Sequence, residues 1–216
     1  MHILDPVLAA KVADLLIDAQ AVRLSPDKPF TWASGWRSPI YCDNRVVLSY
    51  PGPRAAVRDG LVRAVAERYG RPDVIVGVAT GAIAQGALVA DAMGLPFAYV
   101  RPKAKEHGLG NRIEGRIERG MRVVVIEDLI STGGSSLAAV DALRSEAGAE
   151  VVGMVAVFTY GFATADAAFA NANCPITCLS DYTALLQRAV ERGIVGPGQM
   201  DNLSKWRSAP AEWGRD

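Results

Sequence analysis

Histidine is scarce in this chain and cysteine nearly so. With two His in 216 residues, a His-rich metal centre is excluded as the organising feature. The three cysteines, Cys42, Cys174 and Cys178, are odd in number and contain no Cys-x-x-Cys pair. They read as small reduced core residues of a cytoplasmic protein. No apolar run approaches the ~20 residues that a membrane span requires. Asp5, Pro6, Lys11 and Asp14 interrupt any apolar core of a secretory leader. Net charge is also missing, because 23 Lys+Arg balance 23 Asp+Glu. That argues against a general binder of nucleic acid or of anionic membranes, though not against a local basic patch. There is no Gly-x4-Gly-Lys-Ser/Thr and no Gly-x-Gly-x-x-Gly after a strand, so neither a P-loop nor a dinucleotide fingerprint is present. No internal repeat or low-complexity tract interrupts the pattern.

What remains is an ordinary globular composition, 50% hydrophobic and 21% charged, on a length that suits one α/β domain with a small appended hood. Residues 7–20 carry Leu8, Val12, Leu15, Leu16 and Ala19 on one helical face. Residues 24–45 mix Pro26, Pro29, Gly35 and Pro39 with aromatics, outside the alternating α/β pattern, and so are a candidate hood over a ligand. Trp32, Trp36 and Tyr41 there either stack on a flat heterocycle or pack as core. From Arg54 onward, helices and short branched-apolar strands alternate. Arg54–Tyr69 reads as a helix and Val74–Val78 as a buried strand. The turn Ala79-Thr80-Gly81-Ala82 follows, then a small-residue helix to Met93, and then a strand over Phe97–Val100. A turn of small residues lets backbone approach a ligand closely. After the central stretch described next come a strand at Val151–Phe158, a helix at Thr164–Asn171, a strand at Pro175–Leu179 and a last amphipathic helix through Leu185 and Val190. The tail from Met200, with Trp206 and Trp213, is expected to dock on the body.

Residues 101–119 hold six Lys/Arg against three Glu, with Gly108, Gly110 and Gly115. A long basic segment with glycines, set inside a compact domain, is either a functional lid over a polyanion or a solvated loop. Its position after a strand in a phosphate-binding pattern favours the lid.

Val123-Val124-Val125-Ile126 reads as a strand buried on both faces, as in parallel sheets. Glu127 and Asp128 stand at its C-terminal end, and Leu129, Ile130, Ser131, Thr132, Gly133, Gly134 and Ser135 lead into a helix through Leu137, Val140 and Leu143. The carboxyl edge of a parallel strand is where open α/β sheets bind ligands. The loop offers successive backbone N–H groups, and the helix aims its positive dipole end at the same place, which suits a phosphate monoester. Carboxylates beside a phosphate site would repel it unless they face sugar hydroxyls, a metal ion or developing positive charge. Together these features point to a ribose 5-phosphate carrying a leaving group.

Val-Ile-Glu-Asp-Leu-Ile-Ser-Thr-Gly-Gly-Ser resembles the phosphoribosyl-pyrophosphate (PRPP) motif of type I phosphoribosyltransferases. Phe30–Gly35, Ser38–Arg45, Arg101–Gly108 and Phe158–Gly161 resemble, in the same order, segments of the orotate phosphoribosyltransferases. The resemblance covers nearly the whole chain. It implies an α/β fold with a central, mostly parallel sheet flanked by helices. Residues 1–216 then form a single domain, with a hood over roughly 20–50, a flexible lid loop over 101–119 and the C-terminal tail. It also implies transfer of the phosphoribosyl group of PRPP to orotate with Mg²⁺, held mainly by PRPP oxygens and water. It implies as well a cytoplasmic homodimer that shares the lid across subunits, and no nucleic-acid or membrane partner is expected. Arg101, Lys105, His107 and residues 127–135 bind PRPP, with Lys105 and Asp128 catalytic and Ser131 also touching orotate. Two departures stand out. Ala33 replaces a Lys of another branch, and residues 158–161 lack an Arg that branch uses for orotate. Arg37 and Arg45 then become candidates for the acceptor carboxylate. The alternatives are a purine phosphoribosyltransferase and a non-catalytic PRPP-sensing regulator on the same fold.

Overall fold

The computed structural model describes residues 1–32, 34–103 and 112–214. Its frame is a sheet of seven strands: β1 (His2–Ile3), β6 (Val74–Val78), β7 (Phe97–Val100), β8 (Ile113–Glu114), β9 (Arg122–Ile130), β10 (Glu150–Thr159) and β11 (Ile176–Asp181). The spatial order is β1-β11-β10-β9-β6-β7-β8. All neighbours are parallel except β8, which runs antiparallel to β7. Outside this sheet, β2 (Val22–Leu24) pairs with β5 (Ile40–Cys42), and β3 (Phe30–Thr31) with β4 (Arg37–Ser38). These short antiparallel pairs are the irregular structure expected near the N-terminus.

Among the described residues, seven α-helices accompany the strands: α1 (Pro6–Asp18), α2 (Pro51–Tyr69), α3 (Ile83–Met93), α4 (Gly134–Ser145), α5 (Ala163–Asn171), α6 (Tyr182–Glu191) and α7 (Met200–Ser208). Parallel strands need a crossover connection, and here α3, α4 and α5 each supply one. From β6 the chain crosses to β7 on one side. It then returns to β9 on the other side of β6 and continues away through β10 and β11. Right-handed crossovers that depart in opposite directions put their helices on opposite faces. A topological switch point results between β6 and β9, with a crevice at their carboxyl ends.

β9 is the middle strand of the seven. Val123, Val124, Val125 and Ile126 are all fully buried, as a run of branched apolar residues requires. Each contributes roughly 1.5–3 kcal/mol of transfer free energy, so these four side chains alone match the order of a domain's net stability. Two strands of this sheet escape the pattern reading. β1 extends the edge beside β11, and β8 pairs with β7 inside the segment expected to be a continuous loop. Strands of two residues carry no periodicity to read.

Candidate active site

Glu127 and Asp128 are the sixth and seventh residues of β9, where the sheet opens into the crevice. Glu127 is the inner of the two, at 4% exposure. Its carboxylate accepts the Ser136 hydroxyl of α4 at 2.7 Å and the Asp128 backbone N–H at 3.0 Å. A carboxylate offers about four lone-pair sites, so acceptor capacity remains. Burial pushes the Glu127 carboxyl well above the usual range, and the neighbouring Asp128 charge adds to it. Burial also raises Asp128, against the opposing hydrogen bond with Glu127. Two carboxyls this close ionise against each other, so both are held above the ordinary carboxylate range.

Asp128 is the outer acid and faces the turn after β6. A Cβ on Gly81 would stand 2.1 Å from Asp128 Oδ2. Only glycine lets this turn approach the acid so closely. Asp128 is also tied to the hood, because Asn44, itself buried, donates from Nδ2 to the Asp128 carbonyl oxygen at 2.6 Å across 84 residues of sequence. Asn44 Oδ1 in turn accepts the Cys42 thiol at 3.3 Å.

Past Ile130 the chain bends through Ser131 and Thr132 to Gly133, which adopts φ +84° and starts α4. No side chain caps this helix, so its first-turn N–H groups are left for something else. An anion at the crevice is the partner that their charge favours. Ile130 is fully buried, so it offers the site backbone alone. Its carbonyl already accepts the Tyr160 N–H at 3.1 Å.

Two cavities flank the acids. One, about 260 Å³, is lined by Thr31, Trp32, Tyr41, Cys42, Leu129, Ser131 and Tyr160. It is mostly aromatic and apolar and suits a flat ring. Of the three hood aromatics singled out in the sequence, Trp32 and Tyr41 reach it and Trp36 is not in its wall. Ser131 belongs to both this wall and the phosphate-side loop. Neither Arg37 nor Arg45 lines it. The Arg45 guanidinium is engaged by Asp43 through Nε at 2.6 Å and Nη2 at 2.8 Å. The other cavity, about 80 Å³, lies between Ala79, Arg101, Arg112 and Ser135. Arg101 pairs with Glu114 at 3.6 Å and Arg112 with Glu146 at 2.7 Å. Two guanidinium groups thus stand beside a turn that has no cation of its own. Lys105 and His107, like Ala33, lie outside the described residues.

Arg112, Asn44 and Ser136 were given no role from the sequence. Arg112 sits in a charge-rich run with nothing to distinguish it. Asn44 and Ser136 acquire their roles only through tertiary neighbours.

An open, mostly parallel sheet with paired acids and an uncapped, amide-rich bend at its switch point is the arrangement expected of a phosphoribosyltransferase. The family model described as the phosphoribosyl transferase domain matches residues 54–179. An orotate phosphoribosyltransferase from Bacteroides fragilis is 55% identical over 201 residues, covering 93% of this chain and 94% of its own. A crystal structure of orotate phosphoribosyltransferase from Aeropyrum pernix superposes with a TM-score of 0.74 at 28% identity, covering 86% of this chain and 99% of that one. The Mycobacterium tuberculosis enzyme in complex with PRPP gives 0.62 at 26% identity, covering 82% and 98%. The chain belongs to the orotate phosphoribosyltransferase family.

Proposed function

We propose that the protein transfers the 5-phosphoribosyl group of PRPP to orotate, forming orotidine 5′-phosphate and releasing pyrophosphate. The observation that carries this reading is the acid pair at the switch point, with free helix amides on one side and a flat aromatic cavity on the other. In the reaction the bond from the anomeric carbon to pyrophosphate breaks, and one from that carbon to a ring nitrogen of orotate forms as that nitrogen gives up its proton to the departing pyrophosphate or to water. Positive charge develops on the sugar between the two events.

Asp128 and Glu127 bind the ribose 2- and 3-hydroxyls, Asp128 as the more open of the two. Their negative charge meets the cationic sugar where the surroundings are too buried for water to screen it. The bend from Ser131 to Ser135 holds the 5-phosphate on its N–H groups, and Leu129 and Ser131 meet the acceptor ring. Arg101 binds the pyrophosphate, with Arg112 beside it. Lys105 and His107 complete the lid, Lys105 neutralising the leaving group. The protein acts as a cytoplasmic homodimer in which this lid reaches the partner's site.

No group of three or more His, Cys, Asp or Glu side chains among the described residues forms a metal cage. Two acids at the crevice nonetheless fit Mg²⁺, which takes one or two carboxylates and completes its shell from phosphate oxygens and water. Asp128 would meet the ion, directly or through water. When bound, Mg²⁺ offsets the charge of the pyrophosphate.

The test is an ultraviolet assay of orotate loss with PRPP and Mg²⁺, omitting each component in turn, with hypoxanthine and adenine as competing acceptors. Asp128→Asn should lower kcat on the order of 10²-fold with little change in the acceptor KM. Full activity in that variant, or turnover with a purine in place of orotate, overturns the reading.

A further inference from the structure

The C-terminal helix contributes to the acceptor cavity from behind. Trp206 of α7 is fully buried. Its ring meets Trp32 edge-on at 5.7 Å, Tyr160 at 5.5 Å and a 90° interplanar angle, Phe162 at 5.4 Å and Tyr182 at 5.2 Å. Trp32 and Tyr160 stack on each other at 5.1 Å and both line the cavity. They come from distant parts of the chain, one from the hood and one from just beyond β10. Among the described residues, Trp206 is the aromatic side chain that touches both and does not itself line the cavity.

The tail is fastened to the hood beside this contact. Gln199 Nε2 donates to Asp27 Oδ2 at 2.8 Å, and Asn202 Nδ2 donates to the Pro26 carbonyl at 3.5 Å. Trp32 itself is held by its Nε1, which donates to the Ile40 carbonyl at 3.1 Å. On the other side, the Tyr182 hydroxyl donates to the Leu203 carbonyl of α7 at 3.3 Å. The Trp206 indole N–H, in contrast, has no hydrogen-bond partner. A buried donor left unmet is unfavourable, and a phenyl ring at this position would avoid the loss. The indole fills the space behind the Trp32 and Tyr160 rings, which meet it at 5.7 and 5.5 Å.

We propose that Trp206 is a positioning residue for the acceptor base. It sets the Trp32–Tyr160 wall, so that the tail of the chain governs acceptor binding without touching the acceptor. The inference rests on orotate being the acceptor, as argued above. The two acids and the phosphate bend belong to β9 and the start of α4, whereas the rings that Trp206 meets belong to the hood, the segment after β10 and α6. Its loss should thus fall on one substrate and spare the other.

The experiment compares full-length wild type with Trp206→Phe and Trp206→Leu, varying orotate at saturating PRPP and PRPP at saturating orotate, with a thermal melt of each protein. Trp206→Phe is expected to melt within a few degrees of wild type. The orotate KM should rise about tenfold in Trp206→Phe and further in Trp206→Leu, while the PRPP KM stays within about twofold. Quenching of tryptophan fluorescence on titration with orotate should shift to correspondingly higher concentration. A folded variant with an unchanged orotate KM overturns the proposal. So does a parallel loss in both substrates that tracks the melting temperature, or failure of both variants to fold, since either marks a purely structural role. A wild-type protein that does not consume orotate would instead overturn the functional reading, and this inference with it.

Discussion

Gly81 and Asp128 show how much of this site depends on a single missing methyl group. The space a Cβ would need at Gly81 is taken by the end of the Asp128 side chain, 2.1 Å away. That end can swing aside, so Gly81→Ala should fold. The carboxylate, however, would be driven from its place facing the crevice. A shift of about 1 Å at a reacting group can cost on the order of 10²-fold in rate. We therefore expect Gly81→Ala to lower kcat/KM by that order, with a far-ultraviolet spectrum and melting point close to wild type. Normal turnover would mean that Asp128 need not hold the position seen here. The acids and the bend after them were legible in the sequence because their chemistry is local. The approach of Gly81 to Asp128 was not, since it depends on two strands that become neighbours only in the folded sheet.

At the scale of elements, legibility followed periodicity. Val74–Val78 and Phe97–Val100 appear with the bounds expected from their branched and aromatic runs. The helices start one to three residues earlier where Pro or Gly opens them, as Pro51 does for α2 and Gly134 for α4. The junction between β11 and α6 shows how one side chain ends a strand and starts a helix. Asp181 is the last residue of β11, and its Oδ1 accepts the Ala184 N–H at 2.8 Å as the cap of α6. α6 packs Leu185, Leu186 and Ala189 into the core. Removing the cap with Asp181→Ala should cost about 1 kcal/mol, lowering the melting temperature by about 2–4 °C. Asp181→Asn should recover most of the loss, because an amide oxygen caps equally well. An Ala variant as stable as wild type would show that packing alone holds the helix start.

Over the whole molecule, the acid pair sets a conflict between stability and activity. In the unfolded chain Glu127 loses its proton around the ordinary value of 4.5, while in the fold burial holds the proton to higher pH. Between those two limits the folded state binds more protons, so stability falls as pH rises. Glu127→Gln removes this dependence and keeps the shape, because the Ser136 hydroxyl can turn and accept from the new amide. The ligand-free variant should gain about 0.5–2 kcal/mol at neutral pH, and the gain should shrink as pH falls toward 4.5, as melts across that range would show. A gain that grew on acidification would reverse the sign of the argument. Activity should fall in the same variant. The Trp206 contacts were likewise invisible in the sequence beyond the expectation that an aromatic tail docks, because what it docks against is assembled from the hood, β10 and α6.

β9 has a parallel neighbour along each edge and core on each side of its first half. Backbone of that kind is expected to exchange its amide hydrogens only when the entire fold lets go, whereas a separate two-stranded pair such as β3 with β4 is expected to open at lower cost. The hood can therefore breathe to admit and release ligands while the carboxyl groups stay in register, and a molecule able to open its doorway need never loosen its anvil.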